Sequence, residues 1–301
     1  MSPDRSATVT TTVDGRSLTL SNLDKVLFPS SGFTKGELID YYVRVAPAML
    51  THVGDRPLTM KRFPNGVEGS FFFEKHVPKH APEWIRQVTV PSTSDGGAAV
   101  GYAVVDDLPS LVWAANLAAI EFHVPLWHVG RRRSLPGPPD HMVFDLDPGA
   151  GTSIVECATV ARYIADILAA RRLECRAKTS GSKGLQLYVP LTGRPTWNKV
   201  REDALGIATT LERDHPELVV SNMRKSLRVS KVLIDWSQNH PAKTTVAAYS
   251  VRARPEPTVS TPVTWDEVEQ CHELGDPDRL TFTTADVLER IERHGDLFAD
   301  I

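Results

Sequence analysis

The sequence has little of what marks secreted, membrane-spanning or zinc-binding proteins. Its 301 residues include only three cysteines, which are far apart and form no C-x-x-C pair, so neither a disulfide framework nor a zinc knuckle is expected. No apolar run approaches the roughly 18 residues that a membrane-spanning helix needs, and the N-terminus lacks a basic start followed by an apolar core. We therefore expect reduced structural thiols, a cytoplasmic location and no membrane partner.

An excess of one charge is also missing, because the net charge is only -3. This near balance excludes a generic basic DNA-coating protein. The bases are nevertheless concentrated, since between residues 224 and 254 seven lysines and arginines accompany a single acid, Asp235. Such a strip predicts a local anion-binding surface, and any contact with nucleic acid should be confined and oriented.

What the chain does have is a pair of aspartates in an apolar segment. The residues from Met142 to Leu146 read as a buried strand that ends in a Pro-Gly turn, and alternation along a strand places Asp145 and Asp147 on the same face. Two carboxylates whose Cα atoms lie about 7 Å apart repel unless a cation or proton intervenes, so the pair is a candidate divalent-metal site. The alternative is that Asp147 only caps the turn and Asp145 is half exposed.

Asp235 is the candidate third acid. It lies in the apolar segment from Val232 to Trp236, and a carboxylate in such surroundings needs a cation or several hydrogen-bond donors. Three aspartates beside a strip of bases form the constellation of two-metal phosphoryl transfer.

A predicted helix start has the composition of a phosphate site. Thr34 and Glu37 have capping-box spacing, so we expect a helix to begin here with Lys35 in its first turn. A lysine opposes the helix dipole at this end, and a bound phosphate, held also by Lys25 and Asn22, would reverse that penalty. The alternative is a solvated lysine.

A small-residue loop and an aromatic run complete the candidates. Residues 180–184, with the sequence SGSKG, offer free amides, hydroxyls and one lysine to a triphosphate, although the segment is not a Walker A motif. The three phenylalanines at 71–73 cannot all face one core across a strand. At least one is expected at the surface, where it would stack on a base beside Lys61 and Lys75; a strand buried on both faces is the alternative. His123, in another predicted strand, reads by itself as a satisfied core residue.

Seven spaced motifs in order resemble a known family. Over about residues 17 to 300 the chain is similar to the polymerase domain of bacterial ligase D, within the archaeo-eukaryotic primase superfamily. The motifs are NLDKVL at 22–27, KRFPNG at 61–66, FFEK at 72–75, HVP at 123–125, FDLDPG at 144–149, TSGSKGL at 179–185, and KSLR at 225–228 with IDWSQN at 234–239.

The resemblance implies an α/β (α+β) primase-polymerase fold with a catalytic RRM-like half and an N-terminal mixed α/β half. We expect a mobile arm over residues 1–16 and a primase-polymerase domain over residues 17–301. Its expected parts are an N-terminal subdomain with the 5′-phosphate and template contacts (17–135), a catalytic subdomain (136–260) and C-terminal helices (261–301). The implied activity is template-directed nucleotide addition at DNA breaks and gaps, often of ribonucleotides, with two divalent cations, manganese or magnesium.

The resemblance also implies a role for each candidate residue. Asp145 and Asp147 would bind both metals, and Asp235 would help to hold the metal that activates the primer 3′-hydroxyl. Phe73 would stack on the templating base, and Lys75 would hold the template or gap backbone. The residues for the incoming nucleotide, an NTP or dNTP, are Ser180, Lys183, Arg228, His123, Lys61 and Arg252. The residues for a downstream 5′-phosphate on the DNA are Asn22, Lys25 and Lys35.

One position departs from the family, which usually has His where this chain has Gln186. A glutamine can donate a hydrogen bond to a phosphate oxygen but carries no positive charge, so weaker nucleotide binding or a slower rate is expected. The neutral residue also leaves open an alternative function, a non-catalytic factor that binds DNA ends or gaps. A DxD phosphatase is disfavoured, because Thr or Val would be expected where Gly149 stands.

The expected partners follow from the same resemblance. The sequence contains no visible ligase or nuclease segment, so we expect a stand-alone polymerase, or a fragment, that works at the bacterial nucleoid. A separate DNA ligase and an end-binding protein are its expected protein partners.

Overall fold

The computed structural model describes residues 8–91, 99–130, 135–299 and 301. Six α-helices lie within these ranges: α1 (Lys35–Val53), α2 (Leu108–Asn116), α3 (Ile154–Ala170), α4 (Trp197–Asp214), α5 (Trp265–Leu274) and α6 (Thr284–His294). Local sequence sets where they begin. Thr34 and Glu37 form the predicted capping box at α1, and Ser153 and Glu156 form one at α3, so backbone donors of each first turn are satisfied by side chains.

The same ranges contain sixteen short strands. They are β1 (Thr8–Val13), β2 (Arg16–Ser21), β3 (Val26–Phe28), β4 (Phe33–Thr34), β5 (Thr59–Arg62), β6 (Phe72–Glu74), β7 (Gln87–Pro91), β8 (Ala99–Ala103), β9 (Ala119–Val124), β10 (His141–Pro148), β11 (Arg176–Thr179), β12 (Leu185–Pro190), β13 (Val219–Val220), β14 (Val232–Asp235), β15 (Thr245–Val246) and β16 (Pro262–Val263). The two largest sheets are six-stranded, in the order β13-β14-β10-β12-β11-β16, and four-stranded, in the order β15-β9-β5-β6.

The six-stranded sheet is organised around β10, which pairs with β12 on one side and β14 on the other. Phe144 and Leu146 point from β10 into a core shared with α3 and α4, where both are completely buried. The intervening residues of β10 must therefore face the opposite side of the sheet. This alternation confirms that Asp145 and Asp147 share one face.

The four-stranded sheet packs on α1 and α2 in a second core. Tyr42 of α1 is completely buried there, and its hydroxyl donates to Ile120 O of β9 at 2.7 Å and accepts from Val251 N at 3.1 Å. The sheets do not follow the predicted subdomain limits at every strand. β15 lies in the predicted catalytic subdomain but pairs with β9 of the predicted N-terminal subdomain. β16 lies in the predicted C-terminal part but pairs with β11 of the predicted catalytic subdomain.

The mobile arm predicted over residues 1–16 is wrong for residues 8–16, while residues 1–7 lie outside the described ranges. β1 and β2 form an antiparallel hairpin, in register from Thr8 opposite Ser21 to Val13 opposite Arg16. Asp14 and Gly15 connect them with positive φ angles of 46° and 78°. An Asp-Gly pair between two potential strands is a strong hairpin signal. The Ser/Thr-rich composition of the segment had indicated a mobile arm instead.

The helices and the cysteines of the described residues bear on the membrane and disulfide questions. No helix among the described residues is both long and apolar enough to cross a membrane. Cys157, Cys175 and Cys271 are buried and unpaired, as expected for structural thiols.

Candidate active site and DNA-contact residues

Three aspartates meet where β10 and β14 pair. The backbone register places Asp145 directly opposite Asp235 on one side and opposite Gln186 of β12 on the other. Asp147 follows two residues later on the same face and is more exposed than Asp145. The structure therefore brings the three predicted acids together, although they come from segments about ninety residues apart.

The acids are held in a strongly repulsive arrangement. Burial, the charge of Asp147 and that of Asp235 raise the pKa of Asp145 to about 7, although a hydrogen bond from Gln186 Nε2 to Asp145 Oδ1 at 3.0 Å opposes the shift. Burial and the charge of Asp235 also raise the pKa of Asp147, against the influence of Arg228 and Arg252. Such a group of carboxylates gains stability from a bound cation.

Gln238 places a neutral hydrogen-bond donor between two of the acids. Its amide nitrogen lies 3.4 Å from Asp145 Oδ2 and 3.3 Å from Asp235 Oδ2, so one donor bridges both carboxylates. The other oxygen of Asp235 accepts from Ser237 N at 2.9 Å and from Ser237 Oγ at 2.5 Å. The oxygen donors fit a hard divalent cation. Within the described residues, however, no three His, Cys, Asp or Glu side chains are already arranged as a set of metal ligands.

Two glycines permit close approaches around the end of β10: Gly184 lets the glycine-rich loop (residues 180–184) lie against it, and Gly149 lets the Arg228 segment do so. A Cβ on Gly184 would lie 2.2 Å from Leu146 O, and a Cβ on Gly149 would lie 1.7 Å from Arg228 O. Ser180 Oγ accepts from Gly184 N at 3.1 Å and so shapes the loop. Lys183 is exposed on it. The predicted phosphate loop and the segment with Arg228 therefore both border the aspartates.

Arg228 is anchored by its own turn and retains an unused donor. One terminal nitrogen, Nη2, donates to Met223 O at 2.6 Å, whereas the buried Nε has no hydrogen-bond partner. An unpaired guanidinium nitrogen beside acids and a small-residue loop suits an anionic ligand.

Three predicted nucleotide contacts, Lys61, His123 and Arg252, surround one buried carboxylate, that of Glu121. The nearest contacts to its oxygens are 3.3 Å from Lys61 Nζ, 2.9 Å from His123 Nε2 and 3.3 Å from Arg252 Nε. Burial lowers the pKa of His123, and Glu121 opposes this shift. The interpretation of His123 as a core residue is correct in that its ring is largely buried and partnered.

The predicted 5′-phosphate residues also lie together. The turn from Asn22 to Lys25 packs on the start of α1, since Lys35 N donates to Lys25 O at 2.8 Å and Asn22 adopts a positive φ of 54°. Lys35 is not the solvated lysine of the alternative, because it is only 5% exposed and its Nζ donates to Ser21 O at 2.6 Å. Burial, helped by the charges of Lys25 and Arg62, lowers the pKa of Lys35 to about 8.

The aromatic run is exposed, so the alternative of a strand buried on both faces is wrong. Phe71, Phe72 and Phe73 are 52%, 44% and 54% exposed. Lys61 Nζ lies 4.4 Å from the ring centroid of Phe71 and 5.8 Å from that of Phe73, and the Phe73 ring lies 6.0 Å from that of His123. Lys75 is exposed and lines a pocket of about 260 Å³ with Trp127.

This arrangement has counterparts among known proteins. A family model of the LigD primase-polymerase domain matches residues 34–298. The chain is 45% identical over 284 residues to the multifunctional non-homologous end joining DNA repair protein LigD of Mycobacterium tuberculosis (strain ATCC 25618 / H37Rv). It is 31% identical over 287 residues to the bifunctional non-homologous end joining protein LigD of Bacillus subtilis (strain 168). This chain belongs to the LigD primase-polymerase family.

A solved structure supports the same assignment. The polymerase domain from Mycobacterium tuberculosis ligase D in complex with DNA superposes with a TM-score of 0.87 at 44% identity, covering 93% of this chain and 96% of that chain. The α/β primase-polymerase fold expected from the sequence is thereby confirmed. The two LigD relatives are longer proteins, since the alignments cover 93% and 94% of this chain but only 36% and 44% of theirs.

Three residues of this primase-polymerase domain escaped the sequence analysis: Glu121, Lys178 and Gln238. Lys178 is 1% exposed and donates to Gln186 Oε1 and Ser260 Oγ, both at 2.6 Å. Burial lowers the pKa of Lys178 to about 7, although the charge of Asp145 opposes this shift. A polar residue in a largely apolar strand was the available signal for Glu121, whereas β11 is itself polar in sequence and gave no such signal for Lys178. Gln238 lies three residues after Asp235, at the end of a single 3-10 turn.

Proposed function

We propose that this chain is a nucleotidyltransferase, a template-directed DNA repair polymerase. It adds nucleotides, with ribonucleotides preferred, at gaps or double-strand-break ends that bear a downstream 5′-phosphate. The observation that carries the proposal is the convergence of acids and cations from both large sheets. Arg252 lies close enough to Asp147 to lower its pKa, contacts Glu121 of β9, and donates to the Ser180 carbonyl of the glycine-rich loop at 2.6 Å.

In this proposal the chain's own residues bind and orient the reacting groups. Asp145, Asp147 and Asp235 would hold two divalent cations, manganese or magnesium. When bound, these cations would supply activation of the primer 3′-hydroxyl and neutralisation of charge on the triphosphate. Lys183 and Arg228 would bind the triphosphate and stabilise the charge that develops on the departing pyrophosphate.

Other elements would position the DNA. Phe73 presents an exposed ring on which a templating base can stack, and Lys75 adds a cation for the backbone beside it. Asn22, Lys25 and Lys35 lie together at the N-terminus of α1, where the two lysine charges and the helix dipole favour an anion. A downstream 5′-phosphate would bind there.

The relatives support the substrate and the pathway. LigD of Mycobacterium tuberculosis is a non-homologous end joining DNA repair protein, and its polymerase domain has been solved in complex with DNA. We propose DNA repair at broken or gapped DNA for this chain, with a separate DNA ligase and an end-binding protein as partners. A pull-down with this chain that recovers no DNA ligase would argue against that recruitment.

The test is primer extension across a short gap with a downstream 5′-phosphate or 5′-hydroxyl, comparing NTP with dNTP and manganese with magnesium. We expect synthesis that the phosphate enhances, and no synthesis by Asp147→Ala. A Lys25→Met/Lys35→Met variant should extend both DNAs equally, because methionine keeps the apolar stem of buried Lys35 and removes the charge. Lys199→Met, at an exposed position of α4 that pairs with Asp203 at 2.6 Å, serves as a matched control.

The second candidate function is a non-catalytic DNA end-binding or gap-binding factor. Gln186 favours it, because a neutral amide contacts Asp145 where the family usually has a histidine. Tight, phosphate-dependent binding of gapped DNA without synthesis under any metal and nucleotide condition would support this function and refute the polymerase.

A further inference from the structure

Glu121 is a buried acid that no step of the proposed reaction uses. Its side chain is 3% exposed, and it contacts the side-chain nitrogens of Lys61, His123 and Arg252. Burial alone would raise the pKa of Glu121, but the hydrogen bond from His123 and the charges of Arg252 and Lys61 lower it to about 2. The carboxylate therefore remains ionised across the working pH range.

Each of the three partners extends from Glu121 toward a different part of the site. Lys61 Nζ lies 4.4 Å from the ring centroid of Phe71, and the His123 ring lies 6.0 Å from that of Phe73. Arg252 donates through Nη1 to Ser180 O at 2.6 Å. One carboxylate thus connects the exposed aromatic rings to the glycine-rich loop.

The cationic groups of Lys61 and Arg252 require this acid to remain close together. Lysine and arginine side chains that contact the same carboxylate repel each other without it, and low local polarity strengthens that repulsion. Glu121 Oε1 also accepts from Ala253 N at 3.1 Å, which ties it to the backbone next to Arg252. A carboxylate fixed in this way holds its partners at defined positions before any ligand arrives.

We propose that Glu121 is a positioning residue that orients Lys61, His123 and Arg252 for the triphosphate of the incoming nucleotide. This inference rests on the proposed polymerase function. Glu121 does not contact the nucleotide; it determines where the three side chains that do are presented. A role limited to stability would leave nucleotide affinity unchanged in a folded variant.

The test is equilibrium binding of a fluorescent ribonucleoside triphosphate with manganese, measured by anisotropy on the full chain. Glu121→Gln keeps the shape and an acceptor for Ala253 N but removes the charge. We expect about tenfold weaker nucleotide binding or more, the loss typical of a charged hydrogen bond. Binding of 5′-phosphorylated gapped DNA should stay within about twofold, because the Lys25 and Lys35 region is intact. In extension assays the nucleotide KM should rise more than kcat falls.

Glu267→Gln is the matched control, because it also removes a partly buried acid that contacts an arginine, Arg290, in α6. It should alter melting temperature without altering nucleotide affinity. Glu121→Asp keeps the charge on a shorter side chain and should bind nucleotide more tightly than Glu121→Gln. If Glu121→Gln does not fold, Glu121→Asp should still bind a few-fold more weakly than the wild type.

The outcomes separate the inference from the proposed function. If a folded Glu121→Gln variant binds nucleotide as tightly as the wild type does, the positioning role alone is refuted. Equal affinities of the wild type and Glu121→Asp would refute it when Glu121→Gln is unfolded. A wild-type protein that binds no nucleotide would refute the polymerase function and the positioning role with it.

Discussion

Replacement of Asp145 by asparagine is expected to stabilise the metal-free protein while abolishing its function. Asp145 faces Asp235 across the strand pair and shares a face with Asp147, and its pKa is raised to about 7 by burial and these charges. At neutral pH the folded state therefore accommodates a charge that the unfolded chain exposes to water. Asparagine has the same shape, and its side-chain oxygen still accepts from Gln186.

The magnitude follows from linkage. A shift from 3.8 to about 7 corresponds to at most about 4 kcal/mol, since each pKa unit is worth about 1.4 kcal/mol. Solvent screening at a partly exposed side chain, and the sharing of repulsion among three acids, reduce this to roughly 2 kcal/mol. For 301 residues, with an unfolding entropy of about 2.1 cal/mol/K per residue, the gain in melting temperature is roughly 3 °C.

The sign also fixes the pH window. A carboxyl group whose pKa is raised in the folded state favours folding below its ordinary pKa of 3.8, and this contribution is lost as pH rises to about 7. The advantage of Asp145→Asn should therefore be largest from about pH 7 upward and should vanish near pH 4.

The assay is thermal unfolding in EDTA at several pH values, followed by titration with manganese. Wild-type protein should gain stability with the metal, whereas Asp145→Asn should gain much less and should not extend primers. Asp166→Asn, an exposed acid on α3, provides the matched control and should behave as wild type in every arm. A lower melting temperature for Asp145→Asn than for wild type at pH 8 in EDTA, or an equal response to manganese, would refute the reasoning.

Three further substitutions test other parts of the site, and a fourth, in α4, serves as a control. Gly149→Ala would place a Cβ 1.7 Å from Arg228 O, so we expect loss of extension and a melting temperature lower by several degrees. Gly206→Ala in α4 meets nothing within 4 Å and should instead stabilise the protein by roughly 1 kcal/mol, with unchanged extension. Lys178→Met removes a buried amine whose pKa is lowered from 10.5 to about 7. The wild-type protein therefore gains stability as pH rises from about 7 toward 10, because the folded amine is then neutral. The stability of Lys178→Met relative to wild type, measured by denaturant unfolding, should therefore fall as pH rises from about 7 to 10, and a flat comparison would contradict this. Phe73→Leu removes an exposed stacking ring and should weaken template binding by roughly 1 kcal/mol or more with little change in melting temperature; equal affinity in a DNA-binding titration would argue against the template role.

Local sequence rules were sufficient wherever a residue's position depends on its neighbours. Burial of Phe144 and Leu146 forces Asp145 to the other face of β10, and the capping residue Thr34 fixes where α1 begins. The hairpin around Asp14 is equally local, because an Asp-Gly pair with positive φ angles specifies its turn even in a Ser/Thr-rich segment. These positions are predictable from a few consecutive residues.

The contacts that shape the site depend instead on strand register between distant segments. Lys61 faces Glu121 because β5 pairs with β9, and Lys178 faces Gln186 because β11 pairs with β12. No spacing in the sequence specifies which polar residue of one strand meets which residue of another. The candidate ligands were therefore predictable as a set, whereas the acid and the lysine that orient them were not.

The register between β11 and β12 changes the meaning of Gln186. A charged ammonium group offers only donors, so protonated Lys178 requires the oxygen of the Gln186 amide, and the amide nitrogen then faces Asp145. The orientation is fixed by the partner and not by the glutamine itself. A basic group thus remains one hydrogen bond behind the neutral side chain, where it polarises the donor toward Asp145. The glutamine therefore retains an oriented hydrogen-bond donor at the acids but supplies no positive charge there, and primer extension decides between the catalytic role and DNA-end binding.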